Sequence, residues 1–144
     1  MIRTATAEDI PRLTDIWRRA ATRAHPFIPA GFWATRAEAI AQRLAAAEEA
    51  LEVEVLEVEG RAIGFAALTG DHLEALYIDP EVQSYGHGSR LMAHAMARHA
   101  RLTLCVYSRN VRAVSFYHRL GFHAVAQRHE PEAGEEETLM RWER

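Results

Sequence analysis

Apolar residues recur along this chain in two rhythms, one near 3.6 residues and one of two. Ile10, Leu13, Ile16, Trp17 and Ala20 share a helical face, which predicts a helix from about Ala7 to Arg23. Thr6 offers an N-cap oxygen, and Glu8 and Asp9 suit the positive end of the helix dipole. His25-Pro26-Phe27-Ile28-Pro29 ends that helix, because two prolines forbid its continuation. Ala37, Ile40, Leu44 and Ala47 then mark the inner face of a second helix. Ile2 to Thr4 reads as a short first strand. Val53 to Val58 and Ala62 to Leu68 flank Glu59-Gly60-Arg61 as a hairpin, with a bulge expected where Val55 and Leu56 stand together.

The next stretch alternates strictly: Leu73, Ala75 and Tyr77 on one side, His72, Glu74, Leu76 and Ile78 on the other. That is a strand, stopped by Asp79-Pro80. A helix from about Gly86 to His99 follows, with Leu91, Met92, Ala95 and Met96 on one face. Leu102 to Tyr107 is a further strand, and Asn110 to Leu120 a short helix closed by Gly121. Phe122 to Arg128 and Thr138 to Trp142 are predicted to pair as a last hairpin around a Glu-rich loop at 130–137. The order β-α-α-β-β-β-α-β-α-β-β interrupts strand–helix alternation with hairpins. The fold class is therefore α/β in the α+β sense, with a mixed, mainly antiparallel sheet of six to seven strands and four flanking helices, and not a doubly wound one.

With 144 residues, 49% hydrophobic and 26% charged, the chain fits a single domain over 1–144. A net charge of −3 argues against a general binder of nucleic acid or anionic membrane. The single cysteine, Cys105, excludes an internal disulfide, and no apolar run approaches a membrane span. Cytoplasmic localisation is the expectation. The other histidines, among them His87, His94, His99, His118, His123 and His129, show no ligand spacing, so no metal site is expected.

Between the central strand and its helix lies Gln83-Ser84-Tyr85-Gly86-His87-Gly88-Ser89. A glycine-rich loop opening a helix suits phosphate, because the backbone can approach closely and the free amides of the first turn point at the anion. A dinucleotide fingerprint would need glycine or alanine at position 91, where Leu91 stands. A Walker loop would need Gly-Lys-Ser/Thr in place of Gly88-Ser89-Arg90. Gln83, Gly86 and Gly88 instead match Gln/Arg-x-x-Gly-x-Gly/Ala. With the later block Asn110-x-x-Ala113 and Phe116-Tyr117-x-x-Leu120-Gly121-Phe122, the chain resembles the GCN5-related N-acetyltransferases, and within them a branch of small bacterial acetyltransferases. The resemblance spans nearly the whole chain and is strongest from Gly64 to Phe122.

The resemblance implies an acetyl-CoA-dependent transfer of an acetyl group to a primary amine, made directly in a ternary complex. The acceptor would be a small-molecule or protein amine, and the protein a monomer or homodimer without nucleic-acid or membrane partners. Acetyl-CoA would lie along Leu76, Tyr77 and Ile78, with its pyrophosphate on Gln83, Ser84, Tyr85, Gly86, His87, Gly88 and Ser89. Asn110, Ala113, Phe116 and Tyr117 would complete its site. Tyr117 is the implied acid for the leaving thiolate, and the Leu76 amide would polarise the acetyl oxygen. For the base, His72 and Glu74 compete with plain water; an imidazole suits deprotonation near neutrality. His25, Phe27 and Trp33, large residues for a connector, would line the acceptor side, although His25 also reads as a turn histidine. Core packing for Tyr117 and helix capping for Asn110 are the non-functional readings. The rival function is a non-catalytic CoA-binding protein of the same fold.

Overall fold

The computed structural model describes residues 1–46 and 51–144. Seven strands form one sheet: β1 (Ile2–Thr4), β2 (Leu51–Val58), β3 (Arg61–Thr69), β4 (His72–Ile78), β5 (Arg101–Tyr107), β6 (His123–Glu130) and β7 (Glu135–Glu143). Their order across the sheet is β1-β2-β3-β4-β5-β7-β6. All neighbours are antiparallel except β4 and β5. The helices are α1 (Ile10–Ala24), α2 (Ala30–Ala34), α3 (Ala37–Ala45), α4 (His87–Ala97) and α5 (Val111–Arg119).

Each face of the sheet carries its own core. Leu13, Ile16 and Trp17 of α1 pack with Trp33 on Val53, Val55, Phe65 and Ala67. On the opposite face Leu91, Met92 and Ala95 of α4, and Tyr117 of α5, pack on Leu56, Ala66, Leu68, Leu102 and Leu104. Burial on both faces explains why β3 reads as an unbroken apolar run. At Gly64 an added Cβ would stand 2.9 Å from the Tyr77 carbonyl oxygen, so glycine is required for β3 and β4 to approach as they do.

Several sequence expectations need correction. The Glu-rich stretch is not a loop: β6 runs to Glu130 and β7 starts at Glu135, leaving a turn at 131–134. A single helix was expected after the prolines; the chain makes α2 first, then α3, and Ala47 lies outside the described residues. The β2–β3 irregularity falls between Leu56 and Glu57, with Ile63 of β3 as the extra residue. Alternation through Val55 and Leu56 is intact, since each fills a different core.

A bulge in β4 changes which side chains face the chemistry. Ala75 pairs with Ala67 and Leu73 with Leu68, so Glu74 is an extra residue, a bulge in β4. A bulge shifts the period, and His72 therefore does not share a face with Leu76 and Ile78. Leu73, Leu76 and Ile78 belong with the α4–α5 core, while Ala75 and Tyr77 face the α1–α3 side. The His72 ring lies on that second side, its Nδ1 2.8 Å from the Thr103 hydroxyl.

Candidate active site

The parallel contact of β4 with β5 is only two pairs long, His72 with Thr103 and Leu73 with Leu104. Beyond the Glu74 bulge the strands part, and a cleft of about 760 Å³ opens between them. That is ample for a small-molecule ligand. The Asp79 amide bonds back to the Ile63 carbonyl of β3. Antiparallel strands alternate their bonding direction, so the amides of Ile78 and Leu76 turn toward the cleft. An unpaired strand edge of this kind is a ready partner for an extended, amide-bearing ligand. The Ile78 carbonyl accepts from the Gln83 side-chain Nε2 at 3.1 Å.

Asp79 fixes where β4 ends. Its buried carboxylate accepts from Arg12 at 2.7 Å, Arg19 at 3.0 Å and the Glu81 amide at 3.0 Å. Burial alone would raise its pKa, but the bonds from Arg19, the Glu81 amide and Arg12 prevail and hold it far below the usual carboxylate range. The loop that follows is thereby tied to α1. Gly86 caps α4 at φ 80°, a left-handed conformation that suits glycine, and Gly88 lies 3.5 Å, measured from where a Cβ would stand, from the Phe116 ring. Arg112 donates to the Ser84 hydroxyl at 2.9 Å, bringing a cation to the same loop.

Tyr117 enters from the α5 side. Its ring is buried edge-on to Phe116 and Phe122, and its hydroxyl has no protein hydrogen bond among the described residues. Burial, and secondarily Tyr77, push that hydroxyl well above its usual pKa, so it stays protonated. Tyr77 is pushed up to about 12 by burial.

Asn110 caps α5, its side-chain oxygen accepting from the Ala113 amide at 3.2 Å. Its Nδ2 faces His25 Nε2 at 3.2 Å, and His25 Nδ1 lies 2.7 Å from the Ala21 carbonyl. A carbonyl only accepts, so Nδ1 carries the proton and Nε2 takes the Asn110 hydrogen. Burial lowers the His25 pKa, more than the Ala21 bond raises it, and keeps the ring neutral. The ring also stacks on Trp33, with centroids 5.0 Å apart.

The cleft thus gathers nearly every residue singled out from the sequence: His72, Glu74, Leu76, Tyr77, Ile78, the loop from Gln83 to Ser89, Asn110, Ala113, Phe116, Tyr117, His25 and Trp33. Two fall outside its lining. Tyr85 is 75% exposed at the loop's tip, and Phe27 packs against Tyr107 beneath the Arg109 guanidinium. The sequence reading missed Cys105, Tyr107, Arg128 and Glu137, all of which line it. No local signal marks Glu137, which follows two other glutamates and precedes Thr138.

Residues 20–144 match the family model for the acetyltransferase (GNAT) domain. The chain belongs to the GNAT acetyltransferase family. It is 33% identical over 139 residues to the peptidyl-lysine N-acetyltransferase YjaB of Salmonella typhimurium, covering 96% of this chain and 94% of that one. It is 31% identical to the peptidyl-lysine N-acetyltransferase YiaC of Escherichia coli, over 99% and 96% of the two chains. The solution structure of apo YjaB from Escherichia coli superposes with a TM-score of 0.84 at 29% identity, over 98% of this chain and 95% of that one. The fold, at a TM-score of 0.79 and 18% identity, is also that of PaiA N-acetyltransferase from Thermoplasma acidophilum, solved in complex with coenzyme A; the match covers 100% of this chain and 98% of that one. No helix among the described residues is long and apolar enough to cross a membrane. No cluster of three or more potential metal ligands occurs among them either.

Proposed function

We propose that this protein transfers the acetyl group of acetyl-CoA directly to the side-chain amine of a protein lysine. The observation that carries this is the split between β4 and β5, which opens the sheet between its two helical layers. Tyr117 reaches the split from the α5 layer, and His72 and Glu74 stand on the α1–α3 side. The donor would enter along the β4 edge with its pyrophosphate at Gly86–Ser89, and the amine would arrive from the opposite face. Relatives named as peptidyl-lysine N-acetyltransferases support lysine as the acceptor.

The division of labour follows from the residues. The Leu76 amide would donate to the acetyl oxygen as negative charge develops there. His72, with Nδ1 held by Thr103, would present Nε2 to take the ammonium proton; Glu74, drawn 3.6 Å from Arg43, is the alternative. As the amine nitrogen bonds to the acetyl carbon, the C–S bond breaks while the Tyr117 hydroxyl donates a hydrogen bond to the departing sulfur, and the second proton shed by the nitrogen restores the thiol. Neutral His25 would keep Asn110, and with it the start of α5, in position.

The test is acetylation of lysine peptides by purified protein, followed by mass spectrometry and by thiol release. Peptide-dependent thiol release is expected. Tight CoA binding with no acetyl transfer to any lysine peptide or free amine would overturn this reading in favour of a non-catalytic CoA binder.

A further inference from the structure

Glu137 is a carboxylate inside the cleft that the mechanism above leaves unused. It lies on β7 opposite Tyr107 of β5 and opposite Arg128 of β6, so all three share the α1–α3 face. Its side chain is only 12% exposed, and its ion-pair partner among the described residues is Arg128. A carboxylate withdrawn from water needs a cation beside it. The cation it has is an odd choice for a permanent partner. The Arg128 side chain is 68% exposed and springs from β6, the sheet's edge strand, whose residues up to His129 are all exposed.

Where that guanidinium rests is informative. Its second nitrogen lies 3.7 Å from Cys105 Sγ. Cys105 is one residue beyond Leu104, the last β5 residue paired with β4, and therefore stands at the mouth of the split. A positive charge, carried on a long flexible stem, is thus parked at the point where an acceptor amine must arrive.

Resting on the lysine-acetyltransferase reading, we propose that Glu137 is the receptor for the acceptor's ammonium group and that Arg128 holds its place until the lysine displaces it. Exchange of one exposed-stem cation for another costs little, because Glu137 is never left unpaired and Arg128 moves into water. The pair selects for alkylammonium acceptors and against anionic ones. It is also a competitive element within the chain: Arg128 weakens lysine binding by occupying the carboxylate.

Steady-state kinetics with a lysine peptide and saturating acetyl-CoA test this on Arg128→Ala, Glu137→Gln and the double variant. Melting temperature and CoA affinity are measured in parallel, and Glu137→Asp stands by should the glutamine variant not fold. Arg128→Ala is expected to lower the peptide KM, and Glu137→Gln to raise it, by about tenfold, the size of one charge-assisted contact. The double variant should match Glu137→Gln, because Arg128 acts only through that carboxylate. A raised KM in Arg128→Ala would overturn the proposal and make Arg128 a direct substrate contact. Unchanged KM in all folded variants, with the wild type still acetylating the peptide, would overturn it while leaving the lysine-acetyltransferase reading intact. If the wild type acetylates no lysine, that reading fails, and the proposal with it.

Discussion

Replacing Tyr117 by phenylalanine removes one oxygen and leaves a ring that packs edge-on at 5.2 Å from Phe116 and 5.7 Å from Phe122. The hydroxyl has no protein partner among the described residues to lose, so stability should change by less than about 1 kcal/mol. The catalytic cost can be bounded from the same environment. Burial raises this hydroxyl above its ordinary value near 10, whereas an alkyl thiol titrates near about 8.5. Complete proton transfer to the thiolate is then uphill by at least about 1.5 pKa units, or roughly 2 kcal/mol. In the proposed mechanism Tyr117 would therefore act mainly by hydrogen-bonding the sulfur as charge builds, which places the expected loss at the low end for a general acid. About a hundredfold, or ~2.7 kcal/mol, is expected in the chemical step. Single-turnover quench with enzyme in excess over acetyl-CoA isolates that step. An unchanged single-turnover rate with unchanged melting temperature would reduce Tyr117 to a packing residue. A large fall in melting temperature would refute the claim that its hydroxyl carries no structural bond.

Gly86→Val forces a β-branched residue to φ 80° and should cost about 1–3 kcal/mol of stability and most of the CoA affinity by calorimetry; unchanged affinity in a folded variant would remove this loop from the donor site. Asp79→Asn is expected to lower stability at neutral pH by about 3 kcal/mol in urea titrations, since two arginines lose their shared carboxylate. Because the folded Asp79 pKa lies below the unfolded value, its contribution is present above about pH 4 and lost as pH falls further, so the variant's acid limb should be flatter. For His25 the folded pKa is also depressed, but here the neutral form is favoured: stability is full above the unfolded value of about 6.5 and falls as pH drops below it. His25→Gln should flatten the melting temperature between pH 7 and 5, and an identical profile would show that the ring is not held neutral.

The fold was legible where one face or one local rule governs. The helical stripe of α1, the Asp79-Pro80 stop and Gly121 after α5 are local facts; α1 ends one residue past its expected end, while its expected first turn, Ala7–Asp9, is a 3-10 turn and the α-helix starts at Ile10. The glycine loop and the Asn110–Phe122 block, which supply much of the cleft's lining, were legible for a similar reason, since each is a local spacing. What failed depends on pairing partners far along the chain. Strict alternation put His72 with Leu76, but only the offset of Ala67 and Leu68 against Ala75 and Leu73 reveals the bulge that moves it. Glu137 looked like solvated loop because its burial comes from β5 and β6, thirty and nine residues away in the pairs Tyr107–Glu137 and Arg128–Glu137.

The two-residue parallel contact also has a consequence for how the molecule opens. Four strands lie on one side of it and three on the other, joined in the backbone ladder only at His72–Thr103 and Leu73–Leu104. Below β4 and β5 a shared core with α4 and α5 spans the seam, through Leu68, Leu91, Leu104 and Met140. With so short a ladder, amide hydrogen exchange is expected to be faster at the seam than in the middle of either half of the sheet. A donor lying along the free β4 edge would close that seam from the other end, so its binding should register as slowed exchange in β5 and β7, well beyond the residues it touches.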